Sequence, residues 1–153
     1  MTTSVRPAAE VSARRAALER FAIRYARIAL GAAFLSAVGS RLGLWGDNDF
    51  AAFEQYTAEV NSFMPAFTIP FLARAATVLE LSLGIALITG IGLRWVAAGA
   101  AVLLVLFGTA MAISFGVSSP LDYSVFSASA GALLLSLHAP DPVPLRRPRW
   151  INR

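Results

Sequence analysis

Cysteine and lysine are both absent from this 153-residue chain, and histidine occurs once. Without cysteine the chain can form no disulfide, carry no persulfide and ligate no metal through a thiolate, so any sulfur redox step belongs to another protein. His138 stands alone at the end of an apolar stretch, and the three methionines offer no second axial ligand for a transmembrane b-type haem. No cluster of metal-ligating residues accompanies it, so no metal site is expected. A glycine-rich phosphate loop, a nucleophile elbow and an acid pair in pocket-like spacing are missing as well. Charge is scarce: 14% of residues are charged against 57% hydrophobic, which would leave a water-soluble domain badly over-supplied with apolar surface.

What remains is four apolar stretches, roughly Tyr25 to Trp45, Phe71 to Leu93, Trp95 to Val117 and Leu121 to Leu137. The first three reach the roughly 20 residues that an α-helix needs to cross about 30 Å of hydrocarbon. The fourth is short, with Asp122 at its start and Pro140 soon after its end. It is expected to span, a re-entrant or interfacial segment being the alternative. Backbone groups in lipid must be satisfied within their own segment, so the expected fold is all-α: an integral membrane four-helix bundle occupying residues 25–138. The region before the first stretch is long for a signal peptide, and the stretch is read as a retained span.

All thirteen basic residues are arginines, and their placement predicts orientation. Arg6, Arg14, Arg15, Arg20, Arg24 and Arg27 precede or open the first span, Arg94 sits in the second connection, and Arg146, Arg147, Arg149 and Arg153 follow the last. The first connection instead carries Asp47, Asp49, Glu54 and Glu59, and the third carries Asp122. Basic residues beside a span remain cytoplasmic, so both termini are expected inside a bacterial plasma membrane. The pI near 10.6 then reflects one membrane face that attracts anionic lipid, and nucleic-acid binding is not expected.

Outside the spans, residues 1–24 read as a cytoplasmic arm, either an amphipathic helix lying on the cytoplasmic leaflet before the chain turns inward or a partly disordered segment whose residues 1–12 are a frayed, solvated tail, and residues 139–153 read as a cytoplasmic Pro/Arg-rich tail. In the outer connection, Phe50, Phe53, Thr57, Val60 and Met64 recur at helical spacing behind a cap at Asn48 or Asp49. This short amphipathic helix either covers the outer mouth of the bundle or, on the plainer reading, rests on the headgroups. Ala32, Ser36 and Ser40, then Gly108 and Ala112, then Ser127 and Gly131, are small residues suited to close helix packing.

Glu80 is the side chain with the most chemical content. A bare carboxylate near the middle of a span is costly, so it is either protonated or partnered. Arg74 shares its helix but lies six residues away, about 120° around the axis. Arg41, about a turn inside the outer end of the first span, can reach it if the first two spans pack side by side. The candidate polar centre is therefore Glu80, Arg41, Arg74, Ser82 and Ser127, with Thr77 and Ser124 as further hydroxyls. Such a centre can bind a quinone head, relay a proton or fix helix register.

Several strings resemble the DoxX family of small bacterial membrane proteins: Gly39-Ser40-Arg41-Leu42, Phe53 to Pro65, Glu80 followed by Gly84 and the Gly90 to Arg94 turn, and Pro120 to Ser129. The resemblance covers about residues 25–138 and makes Arg41 and Glu80 the usual basic residue of span one and acid of span two. It implies a four-helix membrane bundle with both ends inside and a loose association with redox systems. The expected function is accessory, without catalysis, in a membrane complex with soluble redox enzymes, for which Arg146, Arg147 and Arg149 are candidate docking residues. The alternatives are a quinone-binding subunit of a thiosulfate:quinone type oxidoreductase and a small proton-coupled transporter. No cofactor is firmly implied, quinone being the one the polar centre suits.

Overall fold

Apolar runs of this length can satisfy their backbone in hydrocarbon only as helices. In the computed structural model, which describes residues 8–46 and 49–139, every regular element is helical. Helix α1 spans Ala8–Arg41, α2 Phe50–Val60, α3 Ile69–Thr89, α4 Leu93–Phe115, α5 Ser118–Asp122 and α6 Val125–His138, with a single 3-10 turn at Ala66–Thr68. Three of these are long and apolar enough to cross a membrane. The chain is thus an all-α membrane bundle. Arg6, Pro7, Asp47, Asn48, Pro140 and the tail with Arg146, Arg147, Arg149 and Arg153 lie outside the described residues.

Two expectations about element boundaries need correction. The arm does not end before the first span: α1 is one helix of 34 residues, about 51 Å long. No proline or glycine interrupts it before Gly31, so nothing supplies a bend at residue 25. The fourth stretch is not one helix either. It breaks at Ser124, whose φ of 56° is left-handed, into the five-residue α5 and a 14-residue α6 of about 21 Å. Pro120, fully buried, anchors α5, and α6 alone is too short to cross about 30 Å of hydrocarbon.

The helices pack as two close pairs, α1 on α3 and α4 on α6, joined by the α3–α4 hairpin. Small residues set both contacts, though not all of those expected. Gly31 and Gly84 bring the α1 and α3 backbones together: a Cβ on Gly31 would lie 2.9 Å from the Gly84 carbonyl oxygen. Gly108 accepts the ring of Phe126, and the buried Ser129 hydroxyl donates across the α4–α6 interface to the Ala101 carbonyl at 3.0 Å. Ala32, Ser36 and Ser127 are instead exposed, and a Cβ on Gly131 would meet nothing within 4 Å. The core around Leu87, Ala97, Ala100 and Ala132 is fully buried, while Val78, Ile85, Val102 and Ile113 point outward, as lipid-facing side chains do.

Gly90 ends α3 in the left-handed conformation, φ 79°, with its amide donating to the Ala86 carbonyl. The Arg27 guanidinium fills the space beside it and donates to the Ile88 carbonyl at 3.2 Å. A cation thus sits on the negative end of the α3 dipole, and α1 is pinned to α3 at that level.

Candidate functional site

Arg41 is the last residue of α1, and the chain reverses immediately after it. Gly43 takes φ 68°, the Leu44 amide donates to the Gly39 carbonyl at 2.9 Å, and the Trp45 indole folds back over Gly39. Helix α1 therefore stops short of the N-terminal end of α3, and Arg41 ends up level with the middle of that helix. Glu80 lies eleven residues into α3, about 16 Å below its start.

The close α1–α3 approach brings the two together. Arg41 Nη1 pairs with Glu80 Oε2, and Nη2 donates to Oε1 at 3.1 Å, so the ion pair is bidentate. Its side chains are 13% and 4% exposed, which makes it the one buried ion pair among the described residues. Nη1 also lies 3.5 Å from the Thr77 hydroxyl, which itself donates to the Ala73 carbonyl. On the other side the Phe53 ring of α2 stacks on the guanidinium, 3.6 Å from Cζ to the ring centroid, a cation–π contact.

Of the five residues expected in the polar centre, the structure gathers only Arg41 and Glu80, with Thr77 beside them. Arg74 is exposed and reaches back to its own Pro70 carbonyl at 3.4 Å. Ser82 is exposed and donates to the Val78 carbonyl of its own helix, and Ser127 and Ser124 are exposed on the other helix pair. A hydroxyl in a lipid-facing helix satisfies itself on the preceding turn, so its presence in a span does not mark a shared centre.

Helix α2 departs from the plainer of its two readings. Asp49 caps it, accepting from the Ala52 amide at 2.8 Å, and Thr57 and Val60 are buried against the bundle. Ser114 of α4 donates to the Val60 carbonyl at 2.6 Å and shares a hydrogen bond with Ser62. Below it, between the N-terminal half of α3 and the C-terminal half of α4, lies a cavity of about 330 Å³. Phe53, Tyr56, Thr57 and Val60 roof it, Ala75, Ala76 and Leu79 line one wall, Leu103, Phe107 and Ala110 the other, and Arg41 provides the charge at its back. Glu80 stands behind Arg41. The side facing the bilayer is rimmed by the exposed Leu79 and Leu106. Phe53, Thr57 and Val60 belong to the face that helical spacing picks out and that the covering reading places over the bundle; Tyr56 falls outside that pattern, and nothing in the spacing marks it.

Outside the spans, the Tyr56 phenol is held above its ordinary range by partial burial first, then by Tyr123 and Glu59 nearby. Among the described residues no group of three or more histidine, aspartate or glutamate side chains could hold a metal ion. The His138 ring bonds back to the Leu134 carbonyl at 2.9 Å.

A family model described as DoxX matches residues 22–115, covering α1 from its bundle-facing half through α4. No curated protein and no solved structure gives a significant match.

Proposed function

The chain belongs to the DoxX family, and from that premise we propose that it is an accessory component of a membrane redox complex that holds a lipid-borne quinone beneath α2. The observation that carries this reading is the apolar cavity with a single cationic group at its back, neutralised by Glu80. Its volume is at the small end of ligand pockets, enough for a ring head with the tail left outside. Because the Arg41–Glu80 pair has no net charge, an anionic head gains little there. A neutral carbonyl oxygen can still accept from the guanidinium donors that Glu80 does not occupy. The opening between Leu79 and Leu106 gives the tail a way into the bilayer, so the ligand comes from lipid and not from water.

The orientation proposed with it has both termini in the cytoplasm of a bacterial plasma membrane, supported by the arginine asymmetry; α2 and the pocket mouth then face outward. Proton-coupled transport draws on the same pair and has no separate observation in its favour. Lipid extraction from protein purified in mild detergent tests the pocket reading. Stoichiometric quinone should accompany the wild type and be lost when Ala76→Trp or Ala110→Trp fills the cavity. Phospholipid alone in the wild type, or quinone undiminished in both variants, would overturn it.

A further inference from the structure

Among the described residues, nothing covers the outward face of the part of α1 that precedes the bundle. Arg27 is level with the end of α3, so residues 8–24 continue for about 25 Å beyond it along the same axis. From Glu10 to Ala22 every side chain is exposed except the half-buried Ala16. Leu18, Phe21, Tyr25 and Ile28 are each more than half exposed, and Phe21 and Tyr25 stack with ring centroids 6.3 Å apart. At 100° per residue these four fall within an arc of about 80°. That arc is opposite Ile23, Ala26 and Leu30, which pack on the core. Arg15 and Arg24 flank the stripe and Arg14 closes its far end.

We propose that this arm is a docking helix, inserted through Leu18, Phe21 and Tyr25 into an apolar groove rimmed by carboxylates on a partner protein at the arginine-rich membrane face. Anchors at i, i+3 and i+7 are the spacing by which an amphipathic helix fills such a groove. Residues 10–24 carry four arginines and two glutamates, a net charge of +2, so the rim it fits is acidic. A second copy fits poorly. Helices inserted in the same membrane direction run parallel, and in register Arg14 would face Arg14 within the stripe. The leaflet fits poorly as well. Keeping about 51 Å of straight helix within about 30 Å would need a tilt near 54°, beyond the range of about 0 to 40° seen for spans, and α1 has no proline or glycine before Gly31 at which the arm could bend. This proposal stands apart from the pocket, which lies at the opposite end of the bundle.

The lack of native cysteine makes the test direct. A nitroxide on Leu18→Cys, in full-length protein reconstituted into vesicles of one-third anionic lipid, should collide with a water-soluble relaxant and not with oxygen dissolved in the bilayer. It should also show no short distance to a second label. A photo-crosslinker at Leu18 or Phe21 in native membranes should then capture the same protein from both positions. One at Glu19, on the far side of the helix, should not. Arg14→Glu with Arg15→Glu should lower that capture about tenfold while leaving membrane insertion unchanged, since Arg20, Arg24 and Arg27 remain. A bilayer-immersed label would assign the stripe to the membrane, and a short label-to-label distance would assign it to a second copy. Either result, or capture that ignores position and charge reversal, overturns the proposal.

Discussion

Arg41 at the end of α1 and Glu80 in the middle of α3, 39 positions apart, meet as a bidentate pair within the membrane, with the Phe53 ring against the open face of the guanidinium. Removing one member of such a pair strands a charge, whereas replacing both by apolar groups does not. Glu80→Gln and Arg41→Met should each destabilise the protein by about 3 to 5 kcal/mol in detergent unfolding. The double substitution should cost clearly less than their sum. Additive losses would show that the two groups do not meet.

The Arg27–Gly90 contact can be separated from backbone strain by comparing two glycines. Gly90 and Gly92 both take the left-handed α conformation, φ 79° and 58°, but a Cβ on Gly90 would run into the Arg27 guanidinium, while one on Gly92 would meet only Val96 Cγ2 at 3.9 Å. Gly92→Ala should cost about 1 kcal/mol from conformation alone. Gly90→Ala should cost more in the same unfolding assay, and Arg27→Ala should erase the excess. Equal effects of the two glycine variants would mean that Arg27 does not dock there.

What the sequence made legible follows from how costly each feature is to leave unsatisfied. An acid in the middle of one apolar span and an arginine inside the next-door span have few ways to coexist except by pairing, so Arg41 and Glu80 could be matched in advance. Ser82, Ser127 and Arg74 could not be excluded in the same way, because each can turn to a carbonyl of its own helix or to the exterior, and spacing does not reveal which it does. The break at Ser124 was hidden because a serine in the left-handed region leaves no mark like that of glycine. Nor does hydrophobic periodicity show that a span continues a helix begun before it, so the continuity of α1 through residue 25 was not legible. The roof of the pocket depended on α2 packing over α3 and α4, a tertiary choice to which its amphipathic pattern was indifferent.

Outside the spanning helices, Tyr56 gives a pH dependence with a definite sign. Its folded-state phenol binds its proton more tightly than the unfolded one, owing to burial and to Tyr123 and Glu59. That contribution to stability is complete below about pH 10 and is lost as pH rises through the raised value. With no lysine and no cysteine in the chain, tyrosine is the one residue type present that ordinarily titrates there. Melting temperature should therefore fall above about pH 10, and Tyr56→Phe should flatten that fall. An unchanged alkaline limb in the variant would remove Tyr56 from the account.

The orientation is open to labelling on the same cysteine-free background. In intact cells an impermeant thiol reagent should modify Gln55→Cys on the exposed side of α2 and leave Ser12→Cys on α1 untouched until the membrane is opened. Modification of Ser12→Cys in intact cells would invert the topology and place the pocket mouth on the cytoplasmic side.

A quinone head seated beneath α2 against Arg41, with its tail between α3 and α4, can be caught in place by photolabelling with an azido-quinone in lipid nanodiscs. Label is expected on peptides holding Leu72 to Leu79 and Leu103 to Met111, competed away by unlabelled quinone. Labelling should also fall about tenfold or more when Arg41→Met and Glu80→Leu together remove the polar head contact, a substitution that should leave the fold standing. Label spread over the lipid-facing surfaces of all the helices, or labelling of α3 and α4 that neither excess quinone nor the double substitution reduces, would contradict that placement.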